Sequence, residues 1–290
     1  MKLFKLFFAS MLAVVMTSCL GDPNNTITQD FSPYCLSYVY DTTTGDNVVT
    51  SGATYQLVNN IDKGTIDIDI SGVKMPDGTY IAFDVKGTRY SYNDQGAMTL
   101  YVPSASFLAG GATRSVTDLR MEYYSRYLGN QSFPMLLLSY MIDSRYFVRV
   151  IYSPAYYWGT TTVTDQDGNV FTNTDQTSFY GVQFDVDTKK ASFAALGAKF
   201  AQGMPSLNMV FKDIDYTLDY SGYKLTKAEL IPTIGDTPYP SYKITDFKME
   251  GYWGGVQYVS FTCTIDTERL KGTYRVESAL QIIPANTSNQ

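Results

Sequence analysis

Val116-Thr117-Asp118-Leu119-Arg120-Met121-Glu122-Tyr123 recurs later in the chain as Ile244-Thr245-Asp246-Phe247-Lys248-Met249-Glu250-Gly251. In both copies Leu119/Phe247 and Met121/Met249 alternate with Asp118/Asp246, Arg120/Lys248 and Glu122/Glu250, the period of a strand with one buried and one wet face. The echo extends in both directions. Leu136, Leu138, Tyr140 and Ile142 correspond to Val259, Phe261, Cys263 and Ile265, and Val148-Arg149-Val150 to Tyr274-Arg275-Val276. Upstream, Tyr55, Ile61, Gly72 and Lys74 correspond to Tyr180, Val186, Gly197 and Lys199. The separation between partners drifts only where loops would fall. An ordered series of this kind records a tandem duplication.

Within each copy the strands can be read one after another. Tyr34 to Tyr40, the turn Thr43-Thr44-Gly45-Asp46 and Val48 to Val58 make a hairpin. Thr65-Ile66-Asp67-Ile68-Asp69-Ile70 sends three Ile side chains to the core and both Asp to water, with Ala191, Phe193 and Ala195 at the core positions of the second copy. Tyr80 to Tyr92 and Met98 to Val102 follow, Pro103 and Pro232 ending the same strand in the two copies. Ser104 to Ser115 and Thr233 to Ser241 read as loops at equivalent places. The expected fold is all-β: two tandem repeats of an antiparallel meander, 31–152 and 153–284, with a tail at 285–290. Roughly eight strands per repeat could close as a barrel or fold as a sandwich, and barrel-like curvature is the favoured form.

The 25 Tyr among 290 residues, with abundant Thr and Val, agree with strands rather than helices. A net charge of −6 argues against nucleic acid as a partner, since a phosphate backbone requires a basic footprint.

Lys2 and Lys5 precede an apolar run from Leu6 to Met16, too short for a membrane span and suited to a secretory signal at 1–18. Met16-Thr17-Ser18-Cys19 resembles the lipobox of bacterial lipoproteins, a resemblance that implies acylation of Cys19 as the first residue of the mature chain. The segment 19–30, with Gly21, Asp22, Pro23, Asn24 and Asn25, reads as a spacer. With this lipobox, spacer and Tyr-rich acidic body, the chain resembles exported lipoproteins of the Bacteroidota type. That resemblance implies an outer-membrane location through the lipid anchor, on the periplasmic face or at the cell surface.

Histidine is absent, which removes the commonest general base and most zinc sites. The carboxylate pairs Asp67/Asp69 and Asp185/Asp187 are the visible candidates for glycosidic hydrolysis, but residues i and i+2 on a strand share the wet face, so a solvated surface accounts for them better. Asp165-Gln166-Asp167-Gly168-Asn169 superficially matches the start of a calcium loop; it lacks the distal Glu and reads as a hairpin turn. Cys35 and Cys263 fall in strands of different repeats and read as buried thiols, with an inter-repeat disulfide as the alternative. No catalytic residue, metal or cofactor is expected.

Aromatic residues supply the functional hint. Tyr156-Tyr157-Trp158-Gly159 and Tyr252-Trp253-Gly254-Gly255 hold both Trp residues beside turn-forming Gly. Exposed there, Tyr156, Tyr157, Trp158, Tyr252 and Trp253 could stack on sugar faces or anchor a protein; buried, they would fill a core. The expected function is a membrane-anchored, non-catalytic binding module for a glycan or a surface partner. A structural subunit of a fimbria or adhesin is the rival: fimbrial subunits of similar bacteria are also two-domain β lipoproteins, a resemblance that implies strand-addition assembly after proteolysis near the N-terminus, often at Arg, whereas the first Arg here, Arg89, lies well inside the first repeat. A carboxylate-type hydrolase is a more distant alternative.

Overall fold

The computed structural model describes residues 25–128, 131–173 and 178–282, which are nearly all β. The expected signal segment, Cys19 and the tail at 285–290 lie outside the described residues. Two compact units meet in sequence between Ser153 and Pro154.

The second unit contains β12 (Ala155–Asp165), β13 (Val170–Asn173), β14 (Phe179–Asp185), β15 (Lys190–Ala198), β16 (Leu207–Leu218), β17 (Gly222–Leu230), β18 (Thr233–Ile234), β19 (Thr237–Pro238), β20 (Tyr242–Tyr252), β21 (Gln257–Asp266) and β22 (Lys271–Gln281). Ladders run β12-β14-β15-β16-β17-β20-β21-β22 and return to β12, closing an eight-stranded antiparallel barrel. Closure on one side is made by Tyr156↔Gly181 and Tyr157↔Tyr180, on the other by Val163↔Val276 and its neighbours. Rings fill the interior. Phe193 stacks on Phe211 at 5.6 Å, Phe247 on Phe261 at 6.0 Å, and Phe200 meets Phe261 edge-on at 5.0 Å. Such contacts stabilise beyond the apolar area they bury.

The first unit uses the same sequence of strands differently: β1 (Thr26–Asp30), β2 (Cys35–Asp41), β3 (Asn47–Thr50), β4 (Thr54–Asn60), β5 (Thr65–Lys74), β6 (Tyr80–Arg89), β7 (Ser91–Tyr92), β8 (Met98–Ala109), β9 (Ala112–Leu128), β10 (Gln131–Ile142) and β11 (Tyr146–Tyr152). They form two sheets, β1-β4-β5-β6 and β3-β2-β11-β10-β9-β8-β7. By register, β1 and β2 together stand where β12 stands in the second unit, separated by a 3-10 turn at Ser32–Tyr34 that contains Pro33. Likewise β6 and β7 share the place of β16. Strands that break and change sheet at corners flatten a barrel into a sandwich. Contacts across the two sheets include the Ser37 Oγ–Tyr55 hydroxyl bond of 2.6 Å and the edge-on pair of Phe83 with Tyr140, and Phe31, just after β1, meets Tyr123 edge-on. The duplicated sequence thus yields one closed barrel and one sandwich, both forms that its strand count allowed.

Three left-handed bulges recur at matching positions. Gly72 and Gly197 have φ of 72° and 69°, Gly87 and Asp213 64° and 57°, and Asp118 and Asp246 52° and 55°. Each coincides with a register shift in its ladder. A bulge adds a residue to one strand and sharpens its twist, the curvature that wrapping eight strands demands. Strict alternation through the repeated stretch therefore starts only at Asp118: Thr117 and Asp118 both point away from the core, between buried Val116 and Leu119.

Several local expectations are corrected. Thr26–Asp30, read as spacer, is β1, because its β-prone residues pair with the edge of β4 from Thr26↔Asn60 to Asp30↔Gln56. Ser104 to Ser115, read as a loop, continues the β8–β9 hairpin, since Gly110 and Gly111 both take positive φ and close a two-residue turn. Pro103 accordingly lies inside β8 rather than at its end. Thr233 to Ser241 contains the small β18–β19 ladder. The core positions of β5 and β15 are as read: Ile66, Ile68 and Ile70, and Ala191, Phe193 and Ala195, are all buried.

Candidate functional site

The aromatic candidates separate by burial. Tyr156, Tyr157 and Trp158, read as possible surface rings, are buried, Trp158 to 2% exposure. Both faces of this part of β12 are covered, so no side of it meets water. Trp158 stacks on Phe179 at 6.0 Å, Tyr156 meets Phe179 edge-on at 6.1 Å, and the Tyr157 hydroxyl accepts a 3.2 Å bond from Tyr223. Burial pushes the Tyr157 phenol up to about 12, so it stays protonated.

Tyr252 and Trp253 lie at the β20–β21 turn. Trp253 is half-buried, its indole N–H donating to the Asp219 carbonyl at 3.1 Å and its ring against Tyr223 at 5.3 Å. Gly254, at φ 72°, and the Gly255 N–H bonded to the Tyr252 carbonyl make the tight reversal. Gln257 closes the turn from below by donating to the carbonyls of Tyr252 and Gly255. Tyr252 itself points outward at 48% exposure.

Beside it a groove of about 570 Å³ crosses the outer face of β12, β22, β21 and β20. Thr160, Thr162 and Ser260 offer hydroxyls, Lys248, Glu250 and Glu277 charge, and Tyr258 a ring 55% exposed. Register puts Tyr258 directly opposite Glu250, and Ser260 between Lys248 and Glu277 on the neighbouring strands. Both carboxylates have cation partners, Glu277 with Arg275 at 2.7 Å and Glu250 with Lys224 at 3.6 Å. The groove thus offers an aromatic face, three hydroxyls and both signs of charge, a set suited to hydrogen-bonding and stacking. Tyr258 was legible by alternation with buried Val259, although no motif drew attention to it.

The remaining candidates have structural roles. Asp67 accepts the Gly87 N–H at 2.6 Å and supports the bulge there. Asp185 accepts the Thr188 N–H at the end of β14, and Asp187 lies in the following turn, so this pair does not share a strand face as read. Asp165 takes the N–H groups of Asp167 and Asn169 and the Asn169 side-chain amide, which is a hairpin turn. Among the described residues no group of three or more His, Cys, Asp or Glu side chains is placed to hold a metal. Cys35 and Cys263 are buried and not disulfide-bonded; burial raises both thiols, that of Cys263 to about 12.

No protein-family description matches the chain, and no curated protein does. Among solved structures, a double mutant of the vaccine antigen transferrin-binding protein B from Haemophilus parasuis aligns over 85% of this chain and 76% of its own, at 8% identity and a TM-score of 0.23. A likeness that slight carries no inference about this chain.

Proposed function

We propose that the chain is an exported lipoprotein, held at the outer membrane through Cys19, whose second unit binds a glycan in the groove beside Tyr258 and Tyr252. The observation that carries the reading is the pair of outward rings on a barrel whose interior is filled by its own Phe side chains. Stacking on a sugar face needs an exposed ring on a rigid support, and hydroxyls and carboxylates beside it can bond the sugar's own hydroxyls. The anchor rests on the Lys2/Lys5 start, the apolar run and Met16-Thr17-Ser18-Cys19. The absence of His and the paired state of Glu250 and Glu277 favour binding over hydrolysis.

A glycan array with the full-length chain in detergent micelles tests the site. Tyr258→Ala and Tyr252→Ala are expected to lose signal while keeping the native circular dichroism spectrum. Undiminished signal in both variants, or no signal on any glycan, removes this reading. Fractionation of cells expressing Cys19→Ala tests the anchor, which predicts transfer from the membrane to the soluble fraction.

A further inference from the structure

The first unit carries a second groove of about 650 Å³ on the outer face of β6, β7, β8 and β9. Its composition differs from that of the groove in the second unit. Arg89, Ser91, Thr99, Tyr101, Arg120 and Glu122 line it, two outward positions from each of three adjacent strand places. Ser91, Thr99 and Glu122 stand in register as one row. Tyr101 faces Arg120 on the next strand, with Arg89, two residues before Ser91, on the other side. Tyr101 is 54% exposed.

The cations are placed differently from each other. Arg120 is exposed but engaged: its guanidinium lies over the Tyr101 ring, 5.2 Å from the centroid, and its Nε and Nη2 pair with Asp118 at 3.0 and 2.9 Å. Arg89 has no ion-pair partner among the described residues. Asp118 and Glu122 balance the two arginines in charge, so what the groove offers an acceptor is hydrogen-bond donors: the unpaired Arg89 fork and the Arg120 nitrogen not bonded to Asp118.

The duplication supplies an internal comparison. By register the second unit has Asp215, Thr226 and Lys248 where the first has Arg89, Tyr101 and Arg120. The scaffold is common to both units, but the ring and the unpaired cation belong to the first alone. Nothing in the barrel or sandwich fold requires them there, since the same strands form without them.

We propose that this groove binds an anionic saccharide, its carboxylate or sulfate oxygens accepting hydrogen bonds from the Arg89 fork and from the Arg120 nitrogen not bonded to Asp118, with a sugar face resting on Tyr101. Guanidinium groups present planar forks that match either oxyanion, and Ser91, Thr99 and Glu122 lie in the next row to bond sugar hydroxyls. The inference does not rest on the groove of the second unit.

Titration calorimetry of the full-length chain in detergent micelles would use three probes of similar length: a sulfated heparin oligosaccharide, an oligogalacturonate, and a neutral malto-oligosaccharide. Binding of either anionic probe in preference to the neutral one is expected, and which of the two binds identifies the oxyanion. Arg89→Gln, a change at an exposed and unpaired side chain, should weaken it about tenfold or more. Tyr101→Ala should also weaken it, added salt should weaken the wild type, and Tyr258→Ala should leave it unchanged. Equal affinity for the neutral probe overturns the proposal. So do wild-type affinity in both Arg89→Gln and Tyr101→Ala, and failure of a natively folded chain to bind either anionic probe.

Discussion

Tyr223 occupies the space that a side chain at position 251 would need: a Cβ on Gly251 would fall 2.2 Å from the Tyr223 ring. The two face each other across β17 and β20, as Met98 and Tyr123 do on the equivalent rung of the first unit. The duplicated stretch therefore ends in Tyr in one copy and Gly in the other for a packing reason: where the facing residue is the large ring, this one is Gly. Gly251→Ala should destabilise the second unit by about 1–3 kcal/mol or more through overpacking. Both Trp residues, Trp158 and Trp253, lie in that unit, so urea unfolding followed by Trp fluorescence reads it selectively. An unchanged midpoint would show that the Tyr223 ring and the Gln257 side-chain oxygen, which a Cβ would also meet at 2.2 Å, move aside without cost.

The left-handed backbone at Asp246 makes a second prediction. A β-branched side chain is strained there, so Asp246→Val should cost about 1–2 kcal/mol, whereas Asp246→Gly should be tolerated. Equal losses in the two variants, read by the same fluorescence signal, would mean that the Asp side chain rather than the backbone matters.

Buried hydroxyls provide a third. Thr161 Oγ1 is hydrogen-bonded both to the Tyr180 hydroxyl and, at 2.9 Å, to Ser278 Oγ. Tyr180→Phe removes one partner and leaves the Thr161–Ser278 bond, a loss of about 1 kcal/mol. Thr161→Val removes both bonds and leaves the Tyr180 and Ser278 hydroxyls only each other, a loss of about 1–3 kcal/mol. An unchanged urea midpoint in either variant would contradict a stabilising role for these buried hydroxyls.

Acid sensitivity should be traceable to Asp41. The Arg145 guanidinium, bonded to it at 2.5 and 3.0 Å, and then the N–H groups of Thr43 and Thr44, hold its carboxyl well below the usual range. A depressed folded-state pKa stabilises above the unfolded value of about 4, and that contribution is lost as pH falls below it toward the folded value. Asp41→Asn should therefore be less stable than wild type at pH 7, with the gap narrowing as pH falls below about 4. Thermal unfolding followed by circular dichroism across that range would check it, and a gap independent of pH would refute the linkage.

What the sequence determined was local or repeated. Alternation placed Ile66, Ile68, Ile70 and Phe193 in cores because a strand's side chains have period two wherever the strand lies. Comparison of the two copies located the matched strands, whereas the bulge at Asp118 shows only in the register shift between β9 and β10. Burial on the second face of a strand depends on what packs beside it, which no local pattern records. Hence Tyr156, Tyr157 and Trp158 gave no sign that β12 is covered on both sides, while Tyr258, an unremarked alternate residue, emerged at the groove. The choice between barrel and sandwich was also tertiary. It turns on whether one strand runs unbroken through the closing ladders, as β12 does, or breaks at Pro33 into β1 and β2, and closure joins segments far apart in the chain.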